Sequence, residues 1–267
     1  MRGRFRDALA PAAAGTRPRG RALSAIAEIK RRSPSAGELR ADVDAATLAH
    51  TFERAGAAAV SVLVEERFGG SFDDLRSARS ATSLPLLAKG FFRERGQLAT
   101  ARRAGADAVL LLLRDLDDAR AAHLLAEAAA LGLDCLVEAH EEQELERAAG
   151  LGAEIVGVNA RDLDTFEVDR RRQLELVAKA RRRARLDRAV VVAESGIESR
   201  AQGAAAELAG ADAILVGSAL MRAPDPARKL AELLSRPLVK VCGLTREEDV
   251  EAAAAAGADL AGFVLAD

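Results

Sequence analysis

The chain contains no tryptophan and no tyrosine, and its aromatic residues, all phenylalanine, make up 3% of its 267 residues. So few aromatic rings argue against a stacking platform for single-stranded nucleic acid. Lysine and arginine together number 39 against 41 aspartates and glutamates, which gives a formal net charge of −2. This balance provides no basic surface for nucleic acid or for an anionic membrane, so neither is expected as a partner.

Long apolar segments and cysteine clusters are also missing. No apolar segment approaches the roughly 20 residues that a membrane helix needs, and the N-terminal sequence MRGRFRDALAPAAAG lacks the apolar core of a signal peptide. The two cysteines, Cys135 and Cys242, form neither a disulfide framework nor a pair with metal-type spacing. The sequence therefore predicts a soluble cytoplasmic protein without a metal site.

Eight short apolar runs alternate with amphipathic segments of helical length. The runs span residues 23–29, 58–64, 84–88, 108–113, 134–137, 155–158, 189–193 and 213–216. Runs that are apolar at nearly every position suit parallel strands covered on both faces. Four strands follow a Gly-Ala pair, in which Gly56, Gly105, Gly152 and Gly210 suit a left-handed residue at a helix end.

Eight such repeats predict an α/β fold, a (β/α)8 TIM barrel. A doubly wound sheet is the alternative, and the absence of a glycine-rich dinucleotide loop after the first strand disfavours it.

The pattern restarts beyond the eighth repeat. PLVKVCGL is predicted to form a strand, TREEDVEAAAAAG a helix with Thr245 at its N-cap and Gly257 past its end, and ADLAGFVLAD a further strand. A closed barrel has no place for these strands, and one such unit cannot bury its own faces. Residues 1–235 are therefore expected to form the barrel, and residues 236–267 an extra β-α-β fragment of a second barrel whose remainder is missing.

Polar side chains lie at the carboxyl end of most predicted strands, where the catalytic groups of β/α barrels converge. Glu28 and Lys30 alternate, which points both into the barrel. Lys89, Glu138, Asn159, Arg161 and Glu194 end or follow later strands. Charges also mark strand ends simply because strands end at the surface. Two of only five lysines beside buried carboxylates nevertheless indicate a site of proton transfer.

The turns AESGIES and LVGSAL follow the seventh and eighth strands, where barrels commonly bind phosphate through backbone N–H groups. Gly196 and Gly217 allow close approach, and Ser195 and Ser218 can donate hydrogen bonds. These glycines also fit ordinary loops, but two such turns in register favour a phosphate site.

Motifs at nearly every strand end occur in a single order between residues 5 and 234. They are IAEIKRRSPSAG, VSVLVEERFGGS, PLLAKGF, GADAVLLLL, LVEAHEEQELERA, GVNARDLDTFEVD, VVAESGI and ILVGSALM. Together they resemble indole-3-glycerol phosphate synthase. The resemblance implies a carboxy-lyase of tryptophan biosynthesis that converts 1-(2-carboxyphenylamino)-1-deoxyribulose 5-phosphate to indole-3-glycerol phosphate, CO2 and water. It implies no cofactor and no metal, because protonation of the ketone supplies the electron sink.

The resemblance also implies roles for individual residues. Lys89 would be the general acid that protonates the ketone oxygen, Glu138 the general base of the dehydration, Glu28 a supporting carboxylate, and Lys30 a substrate-binding lysine that orients the acid. The implied substrate contacts are Ser33, Pro34, Asn159, Arg161, Glu194 and Ser195, with Phe68 and Phe91 flanking the anthranilate ring and Gly196, Gly217 and Ser218 holding the phosphate. A lysine acid needs a lowered pKa, which the charge of Lys30 would supply against Glu28 and Glu138.

Three features depart from the family pattern. The segment before the first strand is short, the loop VEERFGG is one residue shorter than usual, which affects the placing of Phe68, and Gly90 stands where aspartate is common. The histidines His50, His123 and His140 are scattered, and we expect them to be helix or loop residues rather than catalysts.

The tail VKVCGLTREEDVEAAAAAGAD resembles the opening of phosphoribosylanthranilate isomerase, in which Cys242 would be the base without its catalytic partner. This implies a fused isomerase domain that is missing from the chain. Two other functions remain open. One is a different phosphate-binding barrel lyase or isomerase, which the combined match of the charged strand ends disfavours. The other is a catalytically weakened barrel that only binds ligand, which Gly90, the short N-terminus and the broken tail support.

Overall fold

Eight parallel strands close into a barrel in the computed structural model, which describes residues 3–10, 23–33, 37–162, 165–235, 239–256, 258 and 260–264. The strands are β1 (Ser24–Ile29), β2 (Ala59–Leu63), β3 (Leu86–Lys89), β4 (Ala108–Leu112), β5 (Asp134–Ala139), β6 (Ile155–Asn159), β7 (Val190–Glu194) and β8 (Ala213–Val216). They fall within about two residues of the eight predicted runs. The predicted (β/α)8 architecture is confirmed.

Closure of the barrel depends on β1, which pairs with both β2 and β8. All neighbouring strands run parallel, so their carboxyl ends form one rim. The register places Asn159 beside Glu194 on adjacent strands and Lys89 beside Leu63. The polar residues that end the predicted strands therefore reach the same end of the barrel.

Helices cover the outside of the barrel. They are α1 (Arg4–Leu9), α2 (Ala45–Ala55), α3 (Phe72–Ala81), α4 (Arg95–Arg103), α5 (Asp118–Ala130), α6 (Glu142–Gly150), α7 (Arg170–Arg182), α8 (Arg200–Ala209), α9 (Ser218–Arg222) and α10 (Pro226–Leu234). Side chains of aspartate or serine accept hydrogen bonds from first-turn N–H groups in six of them, as Asp44 does at α2. Gly56 and Gly210 have φ of +89° and +109°, which confirms the predicted left-handed helix ends.

Two apolar cores stabilise the barrel. One lies between the strands and the outer helices, and the other fills the interior with side chains such as Ile26, Leu87 and Leu136. Phe5 and Leu9 of α1 join the interior core and are fully buried. The backbone N–H groups of Phe5 and Arg6 each donate to Asp134 Oδ2 at 3.0 Å. Because Asp134 begins β5, α1 covers the end of the barrel opposite the catalytic rim.

The described part of the tail forms a two-stranded sheet of its own. Strand β9 (Lys240–Cys242) pairs in parallel with β10 (Leu260–Gly262), and helix α11 (Glu247–Ala255) lies between them in sequence. Within the ranges given above, neither strand joins the barrel sheet. The expected N-cap Thr245 is wrong by one position: Arg246 is the N-cap, with extended φ and ψ of −124° and 150°. Gly257 lies outside the described residues.

A short antiparallel pair, Arg32–Ser33 with Gly37–Glu38, follows β1 at the rim. Of the helices that the structure describes, none has both the length and the apolar character to cross a membrane.

Candidate active site

A cavity of about 660 Å³ opens at the carboxyl ends of the strands. Most of the predicted site residues form its wall: Glu28, Lys30, Phe68, Lys89, Phe91, Glu138, Asn159, Arg161, Ser195, Gly196, Gly217 and Ser218. Glu194 is fully buried behind this wall. Pro34 and the side chain of Ser33 lie outside the described part of the chain. The predicted residues come from seven of the eight strands and their loops, and Leu110 and Leu112 of β4 add the eighth strand to the wall.

Lys89 stands at the centre of three buried carboxylates. Its Nζ donates a hydrogen bond of 2.6 Å to Glu194 Oε2 and lies 3.5 Å from Glu28 Oε2 and 3.9 Å from Glu138 Oε2. Glu194 is on β7, on the opposite side of the barrel from β3. The site is therefore a cross-barrel network centred on one ammonium group.

Each of the other two carboxylates has a second partner. Glu28 Oε1 lies 2.7 Å from Lys30 Nζ. Glu138 Oε1 accepts a 2.9 Å hydrogen bond from Asn159 Nδ2 and lies 3.2 Å from His140 Nε2. Glu138 Oε2 accepts no hydrogen bond from any residue that the structure describes. The hydrogen bond from Asn159 thus holds one oxygen of Glu138, and the other oxygen has the looser contact with Lys89.

The pKa of Lys89 shifts in the direction opposite to the one expected from the sequence. Burial by itself lowers the pKa of Lys89, but the carboxylates of Glu194, Glu28 and Glu138 outweigh it and raise the pKa well above its usual range. The expected lowering was wrong because Lys30 is paired with Glu28 rather than opposed to Lys89. Lys89 is therefore a permanent ammonium ion in the ligand-free protein.

The pKa values of Glu138 and Glu194 shift in opposite directions. Burial raises the pKa of Glu138, yet contacts with His140, Lys89 and Asn159 prevail and lower it to about 2. Burial raises the pKa of Glu194, and the attraction of Lys89 does not cancel this effect. Glu138 is consequently ionised throughout the neutral range, as a general base must be.

The glycine turns are shaped by close packing. Ser195 and Gly196 both adopt left-handed φ, +68° and +69°, which is unusual for serine. A side chain at Gly217 would clash with the carboxylate of Glu28 and approach Lys30 Cε at 2.9 Å. Gly217 therefore lets the loop after β8 lie directly against the Glu28–Lys30 ion pair.

Phe68 and Phe91, which were predicted to flank the anthranilate ring, lie close together, and the guanidinium of Arg67 contacts both of their rings. The guanidinium carbon of Arg67 is 4.8 Å from the ring centre of Phe68 and 4.2 Å from that of Phe91. The N–H of Phe91 donates to Glu65 Oε1 at 2.7 Å. A Cβ at Gly90 would lie 2.9 Å from this oxygen, so Glu65 fills the space beside Gly90.

Sequence reasoning missed two residues of this site. It did not predict the stacking of Arg67, for which the sequence offers no periodic signal. It also set aside His140, which lies beside Glu138. The alternation used for Glu28 and Lys30 applies equally to Glu138 and His140, and it would have placed both on one face of β5.

Comparisons with known proteins point to one family. A family model described as indole-3-glycerol phosphate synthase matches residues 5–233. Indole-3-glycerol phosphate synthase of Micrococcus luteus is 47% identical over 226 residues, which cover 83% of this chain and 82% of that protein. Indole-3-glycerol phosphate synthase 2 of Streptomyces coelicolor is 46% identical over 213 residues, 79% of this chain and 81% of that protein.

Solved structures are similar in fold. A 3-hexulose-6-phosphate synthase superposes with a TM-score of 0.62 at 21% identity and covers 79% of this chain and 98% of its own. The tryptophan synthase A-subunit of Pyrococcus furiosus has a TM-score of 0.61 at 16% identity, with 81% and 99% covered. At such identities the likeness supports the barrel fold alone.

Proposed function

The chain belongs to the indole-3-glycerol phosphate synthase family, and on that premise we propose how its residues carry out the reaction. The protein is a decarboxylating lyase of tryptophan biosynthesis that closes the indole ring of 1-(2-carboxyphenylamino)-1-deoxyribulose 5-phosphate. The observation that carries our assignment of roles is the position of Lys89, whose Nζ lies within 4 Å of three carboxylates at the wall of the cavity.

Lys89 is the general acid of ring closure. The ring carbon that bears the carboxylate attacks the ketone carbon, and the ketone oxygen gains the electron pair. That oxygen becomes an alkoxide, a stronger base than an amine, so even a lysine with a raised pKa can give it a proton. Loss of CO2 then returns the ring to aromaticity, and no external electron acceptor is needed.

Glu138 is the general base of the dehydration. The hydroxyl group formed at the former ketone must leave as water, and a neighbouring proton must be removed to form the indole double bond. Asn159 and His140 hold Oε1 of Glu138, and the part of the chain that the structure describes offers no hydrogen bond to Oε2. Glu138 Oε2 is therefore the oxygen that takes the proton. Lys89, which solvent reprotonates after ring closure, gives a second proton to the departing hydroxyl.

The remaining wall binds the substrate. Lys30 attracts its anionic groups and, through Glu28, keeps Lys89 in place. Gly196, Gly217 and Ser218 hold the phosphate, and Asn159, Arg161 and Ser195 contact the sugar. The rings of Phe68 and Phe91 receive the anthranilate ring, which takes the place of the Arg67 guanidinium between them.

Turnover by the purified protein tests this function. We expect the carboxyphenylamino substrate to be converted with the appearance of indole fluorescence and of CO2 in equal amounts. The proposed steps are proton transfers by side chains of the protein, so we expect turnover without an added metal or cofactor. Saturable binding of the substrate without any indole product would instead indicate a weakened barrel and contradict the assignment.

We further propose that residues 1–235 form the complete catalytic barrel and that residues 236–267 correspond to the opening of a second, isomerase-like barrel. The support is the parallel β9–β10 pair with α11 between its strands, which repeats the β/α/β pattern of the barrel.

Deleting residues 239–267 should therefore leave kcat unchanged and shift the Tm by less than about 4 °C, since the deleted part adds no strand to the barrel. The isolated 236–267 peptide should be unfolded by circular dichroism, because a single β/α/β unit cannot bury its apolar faces. Loss of activity on deletion, or cooperative melting of the peptide, would contradict this division.

A further inference from the structure

His140 lies between two carboxylates just beyond the end of β5. Its Nε2 is 3.2 Å from Glu138 Oε1, and its Nδ1 is 3.5 Å from Glu144 Oε2. The same Glu144 oxygen accepts the backbone N–H of His140 at 2.6 Å. The His140 side chain is only 14% exposed, and Glu138 and Glu144 are almost fully buried. Neither ring nitrogen makes a hydrogen bond among the described residues. The ring is therefore held by charge and burial, in an order that runs Glu144, His140, Glu138.

Of the three carboxylates around Lys89, Glu138 is the one that has no lysine at hydrogen-bonding distance. Glu28 is paired with Lys30 and Glu194 with Lys89, each at hydrogen-bonding distance. Glu138 has neither lysine so close, since Lys89 Nζ is 3.9 Å away. A buried carboxylate without a close cation or several donors tends to take up a proton. His140 is the cation that completes the set of three pairs.

We propose that His140 is a positioning residue of the active site: held by Glu144, it fixes Oε1 of Glu138 and keeps this carboxylate ionised, so that Oε2 stays aimed at the substrate. The proposal rests on the assignment of Glu138 as the general base. His140 itself does not line the cavity among the residues described, so it acts through Glu138 and touches no reacting atom.

The protonation of His140 agrees with this geometry. Burial by itself lowers the pKa of His140, but Glu138 and Glu144 outweigh it and raise the pKa to about 9. Lys89 faces Glu138 from β3, and Arg147 of α6 acts on Glu144. Because the pKa of His140 is raised, its positive charge is present at neutral pH and is lost as the pH rises through about 9.

Comparison of His140→Gln with the unmodified protein tests the proposal. Glutamine keeps an N–H donor near Glu138 but carries no charge at any pH. We expect kcat of the unmodified protein to exceed that of the variant about tenfold at pH 7, with KM changed less than about twofold. The kcat ratio should fall towards one above pH 9, where His140 becomes neutral too.

Glu144→Gln supplies the second measurement, since it removes the charge that holds His140 from the other side. The pH at which the advantage of His140 disappears should fall by about one unit in this background. Histidine-selective NMR titration should follow the same shift, with His140→Gln identifying the signal. Thermal melts followed by circular dichroism check that each variant is folded.

A kcat ratio that does not vary with pH, or an imidazole of His140 that titrates at its ordinary value, would overturn the proposal. Full activity of His140→Gln alongside an inactive Glu138→Gln would also overturn it and leave the proposed function intact. Full activity of Glu138→Gln would instead refute the assignment of the general base, which separates the two failures.

Discussion

Replacing Lys89 with alanine is expected to lower kcat about a thousandfold or more. The ammonium group is the one cation that lies within 4 Å of Glu28, Glu138 and Glu194 alike among the described residues. Without it, the ketone oxygen has no proton donor at the moment when ring closure makes it an alkoxide. Initial rates of indole formation under saturating substrate measure the loss, because the acid acts in the chemical step.

Controls must distinguish a loss of catalytic activity from a loss of folded protein. Removing one partner of a buried ion pair costs about 3–5 kcal/mol of stability, so Lys89→Ala should be compared at a temperature where its melting curve shows a folded protein. Lys89→Arg keeps the positive charge and should restore most of the stability. It should still lose about a hundredfold in kcat, since a guanidinium donates its proton far less readily.

Activity of Lys89→Ala within tenfold of the unmodified protein would remove Lys89 from the reaction. Such a result would transfer the role of the acid to another cation of the wall, with Lys30 as the nearest candidate. A variant series in which stability and kcat fall together, and in which Lys89→Arg restores both, would show that Lys89 serves only the structure.

Glu138→Gln should lower kcat by about a hundredfold to a thousandfold with little change in KM. Glutamine has the same shape and can still accept the hydrogen bond from Asn159, but it cannot take up a proton. The pKa of Glu138 is lowered to about 2, so the unmodified protein should keep an ionised base down to pH values at which the fold itself fails. Steady-state kinetics at pH 7, combined with single-turnover measurements, place the loss in a step after ring closure.

Glu198→Gln is the matched control for Glu138→Gln. Glu198 also lines the cavity, but it is exposed and is paired with Arg222 at 3.3 Å, away from the lysine. We expect its kcat to change less than about threefold, because exposed ion pairs contribute little energy. Equal losses in both variants would mean that the overall charge of the cavity matters and that Glu138 has no specific role.

We expect the free energy of unfolding to fall in acid as Glu138 becomes protonated. The pKa of Glu138 in the folded protein lies below its ordinary value of 4.5, so its ionisation stabilises the native state above that pH. This stabilisation is lost as the pH falls from about 4.5 towards 2. His140 has the opposite sign, since its raised folded pKa stabilises the protein below about pH 6.5, and this contribution is lost as the pH rises through about 9.

The elements of the fold followed from the sequence because they depend on local patterns. Strands with apolar residues at nearly every position, and glycines such as Gly56 and Gly210 at helix ends, specify a β/α repeat without reference to distant residues. Strand alternation also placed Glu28 and Lys30 on one face. The helix α1 was not foreseen, because its residues Phe5 and Arg6 are anchored by Asp134, a residue far away in the sequence.

Local patterns thus determined which residues reach the catalytic rim of this protein. Only closure of the barrel decided which of the charged side chains on different strands form ion pairs there. Closure set Lys89 against Glu194, 105 positions away, rather than beside Lys30. It thereby reversed the expected direction of the lysine pKa. The physical reason is that interactions between buried charges depend on distances in space within a medium of low polarity, and a sequence specifies such distances only after it has folded.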